Sequence, residues 1–127
     1  MRRHGYCILW DAHSIHSVVP ALFEGRLPDL NIGTSGGRSC SPKLPARLLA
    51  SLGTQTNFSH VLDGRFKGGY ITRHYGNPAA NIHALQLEIA QGAYLEESRT
   101  PEFRAARAAP LRSLLRELLL AVLDGGA

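Results

Sequence analysis

A short apolar run near the beginning of the chain restricts the fold more than any other feature of the sequence. Residues 6–10 are apolar, follow Gly5 and end at Asp11. Such a run, with no polar residue at alternate positions, is typical of a strand buried on both faces of its sheet. We therefore predict a strand over residues 5–12, in a sheet that helices cover on both sides, which is an α/β fold.

Further elements follow, separated by segments rich in glycine and proline. Residues 17–41 predict mostly loop. We predict short strands over residues 31–33, 59–62, 70–72 and 82–90. The pattern of residues 45–52 predicts a helix, and so does the pattern from Pro101 onward. We expect Pro110 in the first turn of this terminal helix, and Gly125 and Gly126 at its end.

Composition and charge narrow the class of protein. Hydrophobic residues make up 44% of the chain and charged residues 19%, which is ordinary for a soluble domain, and no apolar run is long enough to cross a bilayer. Cys7 and Cys40 lack a C-x-x-C partner, so we expect reduced thiols and a cytoplasmic protein. The net charge of +4 is scattered, so we expect no nucleic-acid partner; a solvated helix face or a pocket for a small anion explains it instead.

The segment Asp11-Ala12-His13-Ser14 is the first candidate for chemistry. His13 lies just past the predicted strand, at the end of a sheet where α/β proteins bind ligands, and a neutral imidazole is a metal ligand. Asp11 is placed to hold the second ring nitrogen and fix the tautomer. A purely structural histidine is the alternative, and the sequence alone leaves it open.

Glu88 is the second candidate, because it lies among apolar neighbours in the predicted strand over residues 82–90. A buried carboxylate without a partner is costly, its pKa rises, and it then suits general acid–base catalysis. An exposed or Arg-paired Glu88 is the alternative.

The third candidate is a basic segment around paired glycines, residues 65–76, which holds Arg65, Lys67 and Arg73. Glycines allow close approach of a ligand to the backbone, and arginine binds carboxylates in a bidentate fork. An ordinary charged hairpin would have the same composition.

Four segments together resemble the N-formylglutamate deformylase family. They are G-Y-C-I-L-W-D-A-H-S, L-F-E-G-R-L-P-D-L-N-I-G-T, F-S-H-V-L-D-G-R-F-K-G-G-Y-I-T-R-H-Y-G and H-A-L-Q-L-E-I-A-Q. They occur in the order and at the spacings of that family and extend from Gly5 to about Leu95. The resemblance implies a three-layer α/β/α sandwich with a mixed sheet, similar to zinc carboxypeptidases and aspartoacylases.

The resemblance also implies an activity, the hydrolysis of N-formyl-L-glutamate to formate and L-glutamate in histidine degradation, with a divalent metal, zinc above all. By that analogy His13 is a metal ligand, Asp11 supports it, and Glu88 is the general base. Arg65, Lys67 and Arg73 are then candidates for binding the substrate carboxylates or the oxyanion.

The sequence departs from the family in having no P-H-x-G or D-L-N-R segment. We therefore interpret residues 1–127 as the C-terminal part of a single amidohydrolase domain whose N-terminal half is absent. Two alternatives stay open, an impaired deformylase and a catalytically inactive remnant that binds a glutamate-like anion or a partner chain. Because a sheet without its neighbours exposes an edge, we expect an oligomer or a complementing N-terminal chain.

Overall fold

The computed structural model of the protein describes residues 5–124. Strands and helices alternate along the chain, as expected for an α/β fold. In chain order they are β1 (Cys7–Ile15), β2 (Leu30–Gly33), α1 (Lys43–Leu52), β3 (His60–Leu62), α2 (Tyr70–Tyr75), β4 (Ile82–Ala90), β5 (Leu95–Glu96), β6 (Glu102–Phe103) and α3 (Ala105–Leu123), with short 3₁₀ turns at Pro78–Ala80 and Gln91–Ala93.

The first four strands form one mixed sheet in the order β1-β4-β2-β3. β1 pairs with β4 in parallel over its whole length, from Cys7 opposite Ile82 to Ile15 opposite Ala90. β2 pairs antiparallel with β4 and parallel with β3. The carboxyl ends of β1 and β4 therefore meet at one end of the sheet, and those of β2 and β3 meet at the other. The predicted α/β fold with a mixed sheet is confirmed.

The hydrophobic core lies on one face of this sheet, under α1 and α3. Alternate residues of a strand point to opposite faces, so Leu85 and Leu87 of β4 share the core face. The buried cluster that they join also contains Leu30, Ile32, Cys40, Leu44, Leu48, Leu52, Ala93, Leu111, Leu114, Leu118 and Val122. The periodic leucines of the terminal helix are thus packing residues, as the sequence predicts.

The opposite face of the sheet carries Gln86 and Glu88 and is partly covered by α2. The backbone N–H of Gly69, just before α2, donates to Gln86 Oε1 at 2.7 Å. Both faces of β4 are therefore covered, and seven of its nine residues are buried, whereas the first, Ile82, and Ile89 are half-buried. None of the described helices is long and apolar enough to span a bilayer.

Three sequence predictions are corrected. The first strand continues to Ile15, so His13 lies inside it and not just past its end. Residues 70–72 form the start of helix α2 and not a strand. Thr72 is buried while Tyr70 and Tyr75 are exposed, and a six-residue helix allows this burial pattern. The terminal helix begins at Ala105, so Pro110 lies inside it and not in its first turn. The four alanines between positions 105 and 109 favour the helix strongly enough to start it before the proline. The predicted end at Gly125 and Gly126 lies outside the described residues.

Candidate active site

The parallel register of β1 and β4 brings the first two candidate residues together. His13 lies directly opposite Glu88, and Asp11 lies directly opposite Gln86. Residues opposite each other on neighbouring strands point to the same face, so all four side chains lie on the face away from the leucine core. The sequence indicated Asp11, His13 and Glu88 as candidates, but neither Gln86 nor this register.

Asp11 orients the imidazole of His13. The Nε2 atom of His13 lies 2.9 Å from Asp11 Oδ1, and the Asp11 side chain is 10% exposed whereas that of His13 is 48% exposed. Because the two residues are two positions apart on one strand, the carboxylate and the ring reach each other along the sheet surface. With Nε2 held by Asp11, Nδ1 is the ring nitrogen that remains for a ligand.

Glu88 is 8% exposed, and its surroundings oppose its ionisation. Burial raises the pKa of the Glu88 carboxyl above its ordinary value, the positive charge that His13 can carry lowers it, and the negative charge of Asp11 raises it again. The net direction of the pKa shift is upward. A carboxylate in this situation accepts a proton more readily than one in water, which is what a general base needs.

Asn31 is a neighbour of Glu88 that sequence reasoning missed. It lies opposite Glu88 across β2 and β4, and its Nδ2 donates to the backbone carbonyl oxygens of Glu88 at 3.2 Å and of Pro28 at 2.7 Å. Its Oδ1 is buried and has no hydrogen-bond partner among the described residues. Asn31 belongs to the segment Asp29-Leu30-Asn31, and nothing in that segment indicated a pairing with position 88.

The side chains of the candidate site supply only part of what a metal site requires. Within residues 5–124 there is no group of three or more histidine, cysteine, aspartate or glutamate side chains placed to hold a metal ion. A catalytic zinc site takes three protein ligands and keeps one position open. His13 supplies one ligand of the right kind, and the described residues do not complete such a site.

The three cations of the basic segment make different local contacts. The Nε of Arg65 donates to the carbonyl oxygen of Leu22 at 2.6 Å, in the loop that joins β1 to β2 at the same end of the sheet as the pair. The guanidinium of Arg65 also lies 5.7 Å from the centre of the Phe66 ring. Arg65 is therefore anchored on the loop between β1 and β2.

Lys67 and Arg73 lie beside the loop that follows β2. The carbonyl of Lys67 accepts from the N–H of Ser35, two residues beyond the end of β2, and Arg73 Nη1 donates to the carbonyl of Gly68 at 3.0 Å. Lys67 and Arg73 line cavities with Ser35 and Arg38, and none of those cavity-lining residues is Asp11, His13 or Glu88. The same segment also reaches the sheet face that carries the pair, because the N–H of Gly69 donates to Gln86 Oε1 at 2.7 Å, two residues before Glu88 on β4.

Comparisons with known proteins indicate the family to which the chain belongs. A family model for N-formylglutamate amidohydrolase matches residues 1–95. The chain belongs to this family. Among its relatives in the N-formylglutamate amidohydrolase family, an N-formylglutamate deformylase of Pseudomonas putida is 54% identical over 123 residues, and one of Pseudomonas aeruginosa is 55% identical over 122 residues.

A solved structure shares the fold. The crystal structure of N-formylglutamate amidohydrolase from Ralstonia eutropha JMP134 matches with a TM-score of 0.76 at 25% identity and covers 97% of this chain. The chain covers 44% of that structure and 46% of each Pseudomonas relative. The chain therefore spans about half the length of the proteins that it matches.

Proposed function

We propose that the chain carries the proton-transfer half of an N-formylglutamate deformylase active site. The observation that carries the proposal is the placement of Asp11, His13 and the buried Glu88 on one sheet face, with His13 directly opposite Glu88. The family and the two Pseudomonas relatives, both named N-formylglutamate deformylase, indicate the substrate. The reaction is hydrolysis of the formyl amide to formate and L-glutamate.

Glu88 is the general base in this proposal. Its carboxylate accepts a proton from the attacking water as the oxygen adds to the formyl carbon, and returns that proton to the glutamate nitrogen as the C–N bond breaks. The raised pKa of Glu88 brings it nearer to neutral pH, where both transfers are efficient. Asp11 keeps the His13 ring fixed beside this carboxylate.

His13 is proposed as a ligand of a divalent metal, with zinc as the expected ion. A metal bound there would polarise the formyl carbonyl and lower the pKa of water. The imidazole offers Nδ1 for this purpose while Asp11 holds Nε2. Further ligands have to come from outside residues 5–124, since those residues hold no cluster of three.

Arg65 is the proposed partner of a substrate carboxylate. It is exposed, and its Nε is anchored on Leu22, so its terminal nitrogens stay available for a bidentate contact. Lys67 and Arg73, which the sequence also suggested for this role, line a basic cavity with Ser35 and Arg38 and stay candidates for it.

Three further expectations, on the fold, the location and the metabolic role, accompany the proposal. The fold is expected to be a three-layer sandwich similar to the zinc carboxypeptidases and aspartoacylases, with helices on both sides of the mixed sheet. Cys7 and Cys40 are both free, which supports a reducing, cytoplasmic location. The activity would place the chain in histidine catabolism.

The test uses a chimera in which this chain replaces the matching half of the Pseudomonas putida relative. We expect the chimera to release formate from N-formyl-L-glutamate with zinc present. His13→Ala should lose bound zinc by elemental analysis, whereas Glu88→Gln should keep the zinc and lose about 10² to 10⁴ in kcat.

Arg99→Gln, a change of an exposed cation outside the site, is the matched control and should keep both zinc and turnover. Near-normal kcat in the Glu88→Gln chimera would show that Glu88 is not the base.

A second function is favoured by the incomplete ligand set. A catalytically inactive chain that binds a glutamate-like anion or a partner chain would need Arg65 and the open edge of β1, but not turnover. Zinc-independent glutamate binding by the isolated chain, combined with no formate release in the chimera, would favour this alternative.

A further inference from the structure

A cluster of hydrogen bonds joins the ends of β1 and β4 just beyond the His13–Glu88 pair. Ser17 follows the end of β1 by two residues, and Gly92 follows the end of β4 by two residues. The N–H of Gly92 donates to Ser17 Oγ at 3.1 Å, and the N–H of Ser17 donates to Glu97 Oε1 at 2.6 Å. These three residues, the Ser17 cluster, have no part in the proposed proton transfer.

Ser17 is the centre of this cluster and is completely buried. Its N–H and its hydroxyl bond to the Glu97 carboxylate, and its Oγ also accepts from the N–H of Gly92. Its carbonyl oxygen accepts from the N–H of Leu27 at 2.8 Å. Every polar group of Ser17 therefore has a partner, and the partners come from three different segments. Because an unpaired buried polar group is costly, these bonds hold the segments in one arrangement.

Gly92 fits into the Ser17 cluster only because it has no side chain. A Cβ at position 92 would lie 2.6 Å from Ser17 Oγ and 2.8 Å from Glu97 Oε2, which is too close for a real contact. The carbonyl oxygen of Gly92 accepts from Arg107 Nε at 3.0 Å and from Arg107 Nη2 at 2.6 Å. The cluster is therefore closely packed, and Arg107 ties it to the first turn of α3.

Glu97 brings a negative charge to the cluster. Burial raises the pKa of its carboxyl, but the hydrogen bonds from Ser17 and the neighbouring imidazole of His16 outweigh burial, so the net direction of the pKa shift is downward. The His16 Nδ1 atom lies 3.1 Å from Glu97 Oε1. Hydrogen bonds to an ionised acceptor are stronger than those between neutral groups. The carboxylate therefore holds Ser17 more firmly than a neutral acceptor would.

The end of β1 depends on such support because β1 is an edge strand. Among the described strands it pairs only with β4, and this pairing ends at Ile15, two residues past His13. The ends of strands open more readily than their centres, and an edge strand has a neighbour on one side only. Opening of this end would move His13 away from Glu88. The bond between Ser17 and Gly92 closes the end of the ladder directly beyond the pair.

We propose that Glu97 is a positioning residue for the candidate active site, which keeps the carboxyl ends of β1 and β4 together through Ser17 and Gly92 and so fixes His13 beside Glu88. The role rests on the proposed function, because His13 and Glu88 are the groups that it positions. Glu97 acts through the backbone of β1, since its partner Ser17 lies four residues beyond His13.

The test uses the chimera with the Pseudomonas putida relative and compares Glu97→Ala with Glu97→Gln. Alanine removes the acceptor of Ser17, so kcat per folded molecule should fall about 10- to 100-fold while KM stays within about twofold. Glutamine keeps an oxygen that accepts from the N–H of Ser17, so Glu97→Gln should restore most of kcat. The folded fraction is measured by circular dichroism, because a loss of stability alone leaves kcat per folded molecule unchanged.

A second measurement is independent of turnover. Amide hydrogen exchange, followed by mass spectrometry over residues 13–17 and 88–92, should be about tenfold faster in Glu97→Ala and close to the natural rate in Glu97→Gln. Glu96→Ala is the matched control, because Glu96 adjoins Glu97 in the sequence, is exposed and pairs with the exposed Arg104. This control should change neither kcat nor the exchange rates, since exposed ion pairs contribute little.

Three results would each overturn the positioning role. They are an unchanged kcat per folded molecule in Glu97→Ala, unchanged exchange over the two strand ends, and equal effects of Glu96→Ala. A chimera that releases no formate even with Glu97 in place would contradict the proposed function instead. The exchange rates would then decide by themselves whether Glu97 holds the two strand ends together.

Discussion

The carboxyl of Glu88 is the side chain on which both the proposed chemistry and the predicted pH response of this protein depend. It lies in the sheet beside one group that favours its charge, His13, and one that opposes it, Asp11, while burial outweighs both. A raised pKa in the folded state is also a statement about stability, because the unfolded chain ionises the same carboxyl more easily.

We therefore predict that ionisation of Glu88 destabilises the fold. Its folded pKa lies above its unfolded pKa, so its contribution to stability is present below the unfolded pKa and is lost as the pH rises through the folded pKa. Glu88→Gln removes this loss. The variant should gain stability relative to the natural chain between acidic and neutral pH, as measured by urea unfolding at a series of pH values with a chelator present.

The control for this comparison is Glu117→Gln, which removes an exposed carboxylate from α3 and changes the net charge by the same amount. A difference between the Glu88 variant and the natural chain that stayed constant across pH would contradict the assigned pKa direction.

At the scale of the elements, β2 and the segment of residues 67–69 approach each other closely on the sheet face that α2 covers. The backbone of residues 67–69 crosses β2 directly above Gly33, and a Cβ placed on Gly33 would lie 2.6 Å from the nitrogen of Gly68 and 2.7 Å from the carbonyl carbon of Lys67. This crossing supports α2 and places Ser35 beside Lys67. A glycine at position 33 is therefore a packing requirement.

Gly33→Ala should accordingly destabilise the chain by about 1–3 kcal/mol, because neighbouring backbone has to shift to admit the methyl group. Gly69→Ala, in the same crossing segment, is the control. Its φ of −88° is ordinary, and its added Cβ would meet only Gln86 Oε1 at 3.5 Å. Urea unfolding followed by circular dichroism compares the two, and equal midpoints would argue against a tight crossing.

The elements also show how far the sequence alone leads. The strands β1 and β4 were predictable because their apolar patterns extend over several residues, and the leucines of α3 because they repeat at helical spacing. Helix α2 was not, since six residues are too short for periodicity to separate a helix from a strand.

The candidate site was predictable only as separate residues. Asp11, His13 and Glu88 stood out by type and by local pattern, but their convergence depends on a register between strands that are distant in the sequence. The cavity at Ser35 and Arg38 could not be predicted for the same reason, because its lining comes from the loop after β2 and from the segment of α2, which only the fold brings together.

At the scale of the whole molecule, β1 is the most exposed part of the sheet. Among the described strands it pairs only with β4, so the backbone groups along its outer side are unpaired over nine residues. A groove of about 360 Å³ adjoins its carboxyl end and is lined mainly by apolar side chains, among them Ile89, Leu111 and Leu115. Unpaired edges beside apolar surface promote association with other chains.

We predict that the isolated chain self-associates through this edge. Analytical ultracentrifugation should show species larger than the 13.8 kDa monomer, and adding the N-terminal half of the Pseudomonas putida relative should convert them into a defined heterodimer. The main competing surface is the exposed pair Leu119 and Leu120 on α3. Because that pair lies away from β1, the double variant Leu119→Lys, Leu120→Lys should still self-associate. A monodisperse monomer of the natural chain or of the double variant would show that the β1 edge does not drive association.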